Sequence, residues 1–163
     1  MNRRVLFAVC VAGSLLLAAC RQPDGPLPAE TVEDPNRLYD VSRDLLNISG
    51  GDPNGTAEFV NDVMVWGGDA SVEPTKELGR RFTVALKGTR LSEPSAAQLA
   101  RHVWITAAGR ELSSRQVERL REDVRTLLIS AGATEDAAKS AADQVGEVQA
   151  AVTLKRRRWF QLF

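Results

Sequence analysis

Few residues of this 163-residue chain carry side chains that could act as a nucleophile, a general base or a metal ligand. The chain has two cysteines, Cys10 and Cys20, and a single histidine, His102. No serine lies in a nucleophile-elbow setting, and neither Gly-Gly pair precedes a lysine-containing phosphate loop. A hydrolase would need the fold to bring His102 together with a serine and a carboxylate. We therefore predict a protein that is not an enzyme and has no cofactor, with a hydrolase using His102 as the alternative.

Two pairs of acidic residues are spaced four positions apart, which places both members of a pair on one face of a helix. The pairs are Asp40 with Asp44 and Glu58 with Asp62. Paired carboxylates can bind a hard cation or act as an acid–base pair, but a cation site needs further oxygen ligands at loop spacing. Because the sequence offers none beside either pair, we predict no metal site and interpret both pairs as solvated helix faces.

The most distinctive cluster is LKRRRWFQLF, in which four consecutive basic residues precede aromatic and apolar ones. Arginine forks suit phosphate and carboxylate groups, and aromatic rings beside them suit a membrane interface or a groove on a partner protein. We predict that this tail binds an anionic surface or an envelope protein. In the alternative interpretation, the last helix continues and folds the aromatic residues onto the domain. The predicted binding residues are Lys155, Arg156, Arg157, Arg158, Trp159 and Phe160.

The charge of the chain is balanced overall, with 21 basic and 21 acidic residues, but it is unevenly distributed. Residues 20–80 contain 5 basic and 12 acidic side chains, whereas residues 81–163 contain 14 and 9. The protein is therefore polarised along its sequence, and the tail provides much of the positive charge.

The first nineteen residues have the three parts of an export signal. Arg3 and Arg4 form a positive region, residues 5–17 form an apolar run too short to span a bilayer comfortably, and small residues precede Cys20. The stretch Leu17-Ala18-Ala19-Cys20 resembles the lipobox of bacterial lipoproteins. This resemblance implies cleavage before Cys20, attachment of diacylglycerol and an acyl chain such as palmitate to the new terminus, and membrane anchoring without a spanning segment.

The same resemblance implies a location. Arg21 follows the cysteine, in place of the aspartate that resembles an inner-membrane retention signal, so we expect the periplasmic face of the outer membrane. The inner membrane and the cell surface are the alternatives. An exported protein does not meet nucleic acid in the expected compartment, so nucleic acid is not an expected partner, although the basic tail would suit it. With Cys10 removed and Cys20 acylated, no thiol remains for a disulfide, so stability must come from a packed core.

Residues 20–35 contain four of the seven prolines and lack apolar periodicity, so we interpret them as an extended, disordered tether. The remaining residues, 36–163, form the predicted domain. Its apolar residues recur at helical spacing, and no run alternates long enough for a convincing strand. Asp34 and Pro35 predict the start of a first helix that Gly50-Gly51 stops, and Thr56 predicts the cap of a second that Gly67-Gly68 stops. We predict an all-α bundle or array of about six helices.

The later part of the domain repeats a pattern with a spacing of 21 residues. Positions seven, eleven and fourteen past each predicted cap form one helical face, and glycines at 88, 109 and 132 predict helix ends. This repeated pattern arises either from a duplicated unit or from any bundle with short loops and heptad spacing of its apolar residues. The helix around Leu99 is apolar nearly all round, so it should be the most buried. The predicted caps are Ser71, Ser92, Ser113 and Thr134, with Gln116 completing a capping box.

Overall fold

A computed structural model describes the backbone of residues 34–160 and the side chains of residues 34–154. The predicted signal segment, Cys20 and the tether up to residue 33 lie outside the described residues. Within residues 34–160 the chain is helical and contains no strand, which confirms the all-α prediction. The helices are α1 (Pro35–Gly50), α2 (Gly55–Gly67), α3 (Val72–Leu86), α4 (Glu93–Ala107), α5 (Ser114–Ala131) and α6 (Glu135–Phe160), with a 3₁₀ turn at Gly68–Ser71 between α2 and α3.

Consecutive helices run antiparallel, so their connections lie at two ends of the bundle. At one end, the Ser49 hydroxyl of α1 donates to the Thr89 carbonyl, and the Arg90 amide donates to the carbonyl of Ala131. We name this the opposite end, because it lies opposite the end at which α1 begins. This end holds the loops at 51–54, 87–92 and 132–134. The other end, which we name the tether end, holds the start of α1, the turn at 68–71 and the loop at 108–113. Gln149 of α6 reaches this loop through its Nε2, which donates to the Arg110 carbonyl at 3.2 Å.

Several helix boundaries follow the signals in the sequence. The Asp34 side chain accepts a hydrogen bond from the Arg37 amide at the start of α1. Ser92 caps α4, and Ser113 and Gln116 form the reciprocal bonds of a capping box at the start of α5. Gly132 closes α5 with φ of 107°, a left-handed conformation that glycine adopts without strain.

Thr56 is not the cap of α2, and Ser71 is the cap residue of α3 but makes no side-chain cap bond, because a competing partner takes each hydroxyl. Helix α2 begins one residue before Thr56, and the Thr56 hydroxyl hydrogen-bonds the hydroxyl of Thr83 on α3. Ser71 does precede α3, but its hydroxyl donates back to the Gly68 carbonyl at 2.9 Å. The 3₁₀ turn brings that carbonyl within reach, so the Ser71 side chain stabilises the turn and makes no cap bond.

The core lies where one apolar stripe of each helix meets the others, and α4 is the most enclosed. Every residue of α4 from His102 to Ala107 is buried, as its nearly all-round apolar composition predicts. Helices α2 and α3 approach closely at Gly79. A Cβ atom at Gly79 would lie 2.5 Å from Cγ2 of Val60, so this contact requires a residue without a side chain.

Helix α6 is much longer than its neighbours. It has 26 residues, against 15 in α3, and would measure about 39 Å at 1.5 Å per residue. Leu154 of α6 lines the same groove as Ser114, the first residue of α5. Six more helical residues follow Leu154, so α6 continues for about 9 Å beyond the last residue whose side chain is described. Among residues 34–160, no helix has both the length and the apolar composition needed to cross a bilayer.

Candidate functional site

His102 lies in the contact between α4 and α5 and is only 5% exposed. Its Nδ1 is 2.6 Å from the Gln98 carbonyl oxygen, which can only accept, so Nδ1 donates. Nε2 is 3.5 Å from Oδ2 of Asp123, without forming a hydrogen bond. Neither ring nitrogen has a described contact with a hydroxyl group. Among residues 34–154, the structure thus brings an acid to His102, while no serine hydroxyl forms a hydrogen bond with its ring.

The acidic pairs of α1 and α2 come together across the first helical hairpin. The Asp44 carboxylate is fully buried, and its Oδ1 accepts a hydrogen bond of 3.3 Å from the Arg43 guanidinium. Arg43 also lies 3.2 Å from Asp40, and Arg37 of α1 bridges to Asp62 of α2 at 2.9 Å. In the described part of the chain, no group of three or more His, Cys, Asp or Glu residues is placed to hold a metal ion.

Asp44 corrects the prediction that both acidic pairs are solvated faces. Its Oδ2 is buried and has no described hydrogen-bond partner. Loss of solvent around the carboxylate raises the pKa of Asp44 to about 6; the Arg43 hydrogen bond opposes this shift, and the negative charges of Asp62 and Glu58 add to it. A sequence signal for this burial exists, because position 44 falls within the apolar stripe that contains Val41 and Ile48. The signal is easily missed, because an acidic residue is usually exposed.

A long groove separates α5 from α6. One part, of about 350 Å³, is lined mainly by charged side chains, including Arg125 of α5 and Lys139 of α6. The adjoining part, of about 550 Å³, is more apolar and is lined by Leu112, Val117 and Leu154, among others. Sequence reasoning did not find this groove, because it arises from the relative placement of two helices that each look amphipathic alone.

The mixed charges predicted for the exposed face of α5 do form ion pairs along this groove. Arg121 pairs with Asp143 of α6, and Arg125 pairs with both Glu122 of its own helix and Glu135 of α6. All five side chains are at least 31% exposed. Opposite charges therefore neutralise one another within the charged part of the groove, and its described side chains do not favour one sign of ligand.

The tail residues lie on the backbone of α6, which extends through Phe160. The first part of the alternative interpretation is therefore correct, because the last helix does continue through Lys155 to Arg158. The second part, in which Trp159 and Phe160 fold onto the domain, depends on side chains that lie outside the described residues. The structure thus joins the tail to a helix whose earlier residues, including Val148 and Val152, are buried in the core.

The tail and the start of the domain lie at the same end of the bundle. Arg37, in the first turn of α1, contacts Asp62 near the end of α2. At that end of α2, a Cβ atom on Gly67 would lie 3.6 Å from Cγ2 of Val152. The chain following the predicted tether and the extension of α6 are therefore both at the tether end.

Exposed apolar residues do not distinguish the two ends. Tyr39, Val65 and Leu154, towards the tether end, are 71%, 62% and 60% exposed. Val84 and Ile129, towards the opposite end, are 67% and 37% exposed. The difference between the ends therefore lies in the α6 extension and its four basic residues.

No protein-family model matches this chain, and comparison with curated proteins and with solved structures gave no match.

Proposed function

We propose that this chain is a lipid-anchored protein of the bacterial cell envelope, held on the periplasmic face of the outer membrane. The observation that carries the proposal is the stretch Leu17-Ala18-Ala19-Cys20, placed after a basic and then an apolar segment. Lipid attached at Cys20 would hold the domain through the tether, since two or more acyl chains give stable anchoring.

We further propose that the helical domain acts by binding, as a scaffolding or assembly module, and has no catalytic activity. The continuous helix through Lys155 to Arg158 supports this, because it gives a basic segment a fixed connection to the packed domain. Near an anionic surface each basic side chain contributes about 1 kcal/mol, and salt weakens this attraction over a Debye length of about 8 Å. Four such residues supply enough attraction to orient a domain that lipid already retains.

The alternative, a periplasmic hydrolase using His102, has less support. A general base needs a hydroxyl or water within reach of its free nitrogen, and the described neighbour of Nε2 is the carboxylate of Asp123. The buried setting of His102 suits a packing role in the α4–α5 contact.

The anchor is tested by replacing Cys20 and following labelled palmitate. Cys20→Ser should abolish palmitate incorporation and release the protein from membranes. Cys10→Ser is the matched control, because it changes a cysteine ten residues earlier, within the predicted signal, and should leave both properties intact. Absence of palmitate from the wild-type protein would show that the anchor is wrong.

The binding role is tested separately with a form that begins at Arg21 and carries no lipid. Removing residues 155–163 should leave the helical circular dichroism largely intact and lower salt-sensitive binding to vesicles containing phosphatidylglycerol. A charge-matched control replaces four exposed basic residues elsewhere with alanine and should retain binding. If the truncated protein unfolds and the longer form never binds vesicles at low salt, the tail is a packing element. The control positions are Lys87, Arg90, Arg119 and Lys139.

A further inference from the structure

We propose that the tether end of the bundle faces the lipid bilayer, so that the helices stand roughly along the membrane normal and the opposite end points away. This inference rests on the proposed lipid anchor and adds an orientation to it. The partner is a lipid surface carrying anionic headgroups, and the contact surface is the α6 extension, at the end of the bundle where α1 begins.

The anchor alone does not fix this orientation. Fifteen residues run from Arg21 through Pro35, and an extended polyproline II segment of that length reaches about 45 Å at 3.1 Å per residue. A fifteen-residue helix such as α3 is about 22 Å long, so the tether is longer than the bundle it holds. The domain could therefore lie on its side or turn over, unless a second contact selects one orientation.

The α6 extension supplies that second contact. It continues from Leu154 at the tether end, and its backbone carries Lys155 to Arg158 past Val152, the α6 residue that lies beside Gly67 at the end of α2. The extension measures about 9 Å from Leu154, which exceeds the Debye length of about 8 Å at physiological salt. An anionic surface at the end of α6 would therefore lie within one Debye length of these four backbone positions, while most charges on the bundle remain screened from it.

The acidic residues at the tether end do not oppose this arrangement strongly. Asp34 and Asp62 both pair with Arg37, which offsets part of their charge. Glu73, at the start of α3, pairs with Lys76. The exposed Asp69 and Glu111 lie on the bundle itself and not on the α6 extension. At the opposite end, the loops carry Asp52, Lys87 and Arg90, and no four basic residues are consecutive in the sequence. Only the tether end therefore combines the attachment point with a run of positive charge.

The test uses the full-length, lipidated protein in vesicles of phosphatidylethanolamine and phosphatidylglycerol. Because Cys20 is acylated in this form, one introduced cysteine gives a single site for an environment-sensitive fluorophore. Asp69→Cys labels the tether end and Lys87→Cys labels the opposite end; both positions are exposed. Quenching by headgroup-attached spin labels should be at least about threefold stronger at position 69, since the ends are separated by about 22 Å.

Two further measurements show whether the tail causes the orientation. Raising the salt concentration, or replacing Lys155 to Arg158 with alanine, should bring the two quenching values together without releasing the protein. The four-alanine control at Lys87, Arg90, Arg119 and Lys139 is made with the opposite-end label moved to Asp52, and it should preserve the difference.

Equal quenching at the two ends in the unaltered protein, or stronger quenching at position 87, would overturn the orientation while leaving the anchor standing. A protein that takes up no palmitate and does not remain with vesicles would overturn the anchor and, with it, the orientation. A difference that persists in the Lys155–Arg158 variant would show that another surface orients the domain, and it would contradict the proposed role of the α6 extension.

Discussion

The first helical hairpin, α1–α2, and the last, α5–α6, both carry charged residues across a helix contact, but they differ in the exposure of those charges. In α1–α2 the Asp44 carboxylate is entirely buried and one of its oxygens has no described partner. In α5–α6 the paired residues Arg121 and Asp143 are 35% and 39% exposed. A carboxylate beside a guanidinium is thus buried in the first hairpin, where Arg43 and Asp44 belong to the same helix, and solvated in the last, where the pair joins two helices.

This difference shows that an ion pair in a structure does not have a fixed energetic meaning. Removing a carboxylate from water costs free energy that a single guanidinium, itself half-exposed, does not fully recover. A solvated pair avoids that cost but gains little, because water and salt screen the attraction. We therefore expect the first hairpin to depend on its apolar core and to respond to pH, and the last hairpin to respond weakly to loss of its ion pairs.

The largest effect should come from the apolar core of the first hairpin. Phe59 of α2 is fully buried, with its ring centroid 5.5 Å from that of Phe82. Phe59→Ala should lower the free energy of unfolding by about 3–5 kcal/mol, measured by urea denaturation. Tyr39→Ala is a matched control in the same hairpin, since Tyr39 is 71% exposed, and it should change stability by less than about 0.5 kcal/mol. Equal losses in the two variants would contradict the dependence of this hairpin on its buried core.

An intermediate effect should come from Asp44. Because burial raises its pKa to about 6, above the value of about 3.9 expected in the unfolded chain, the folded state binds this proton more tightly. Asp44 should therefore make stability fall as the pH rises from about 4 through 6 and then level off. Asp44→Asn should remove this contribution and raise stability at neutral pH by about 1 kcal/mol, measured by urea denaturation across the pH range.

The matched control for Asp44 is Asp143→Asn in the last hairpin, which changes an exposed carboxylate that also pairs with an arginine. It should shift stability by less than about 1 kcal/mol and leave the fall between pH 4 and 6 in place. If Asp143→Asn removes the decrease in stability between pH 4 and 6 while Asp44→Asn preserves it, the pH dependence does not come from Asp44, and the difference between the hairpins is wrong.

The smallest effect should come from the exposed pairs of α5–α6. Arg125→Ala removes contacts with Glu122 and Glu135, yet it should cost less than about 1 kcal/mol because all three groups are solvated. The loss should shrink further at high salt, measured as the difference in Tm from the wild-type protein. A double-mutant cycle with Glu135→Ala isolates the coupling between helices. A coupling of several kcal/mol that salt does not change would contradict the solvated description.

Much of the fold could be predicted because its signals are local. Asp34, Pro35 and Gly51 determine the two ends of α1 through a side-chain cap, a restricted φ and a left-handed residue. The spacing of apolar residues predicted which face of each later helix is buried, and Leu120 and Val124 of α5 are both fully enclosed. These signals involve residues within one or two helical turns of one another, so they can be recognised from the sequence alone.

The features that sequence reasoning missed depend on partners from other helices. The Thr56 hydroxyl has a capping-compatible position, but it pairs with Thr83, 27 residues away. The burial of Asp44 depends on how α2 and α4 cover α1, and the groove beside Arg121 depends on the spacing of α5 and α6. Such contacts are set by helix packing, which the pattern of one segment does not specify.

The close approach of α2 and α3 at Gly79 limits which sequences this fold accepts. A glycine in the middle of a helix is unfavourable by about 1 kcal/mol relative to alanine, so drift would tend to replace it if nothing opposed the change. At this position even the methyl group of alanine would press on Val60. Homologous chains that keep this packing should therefore retain glycine at position 79, or change it together with a smaller residue at position 60. That paired pattern would help to recognise distant relatives whose overall identity is too low to align.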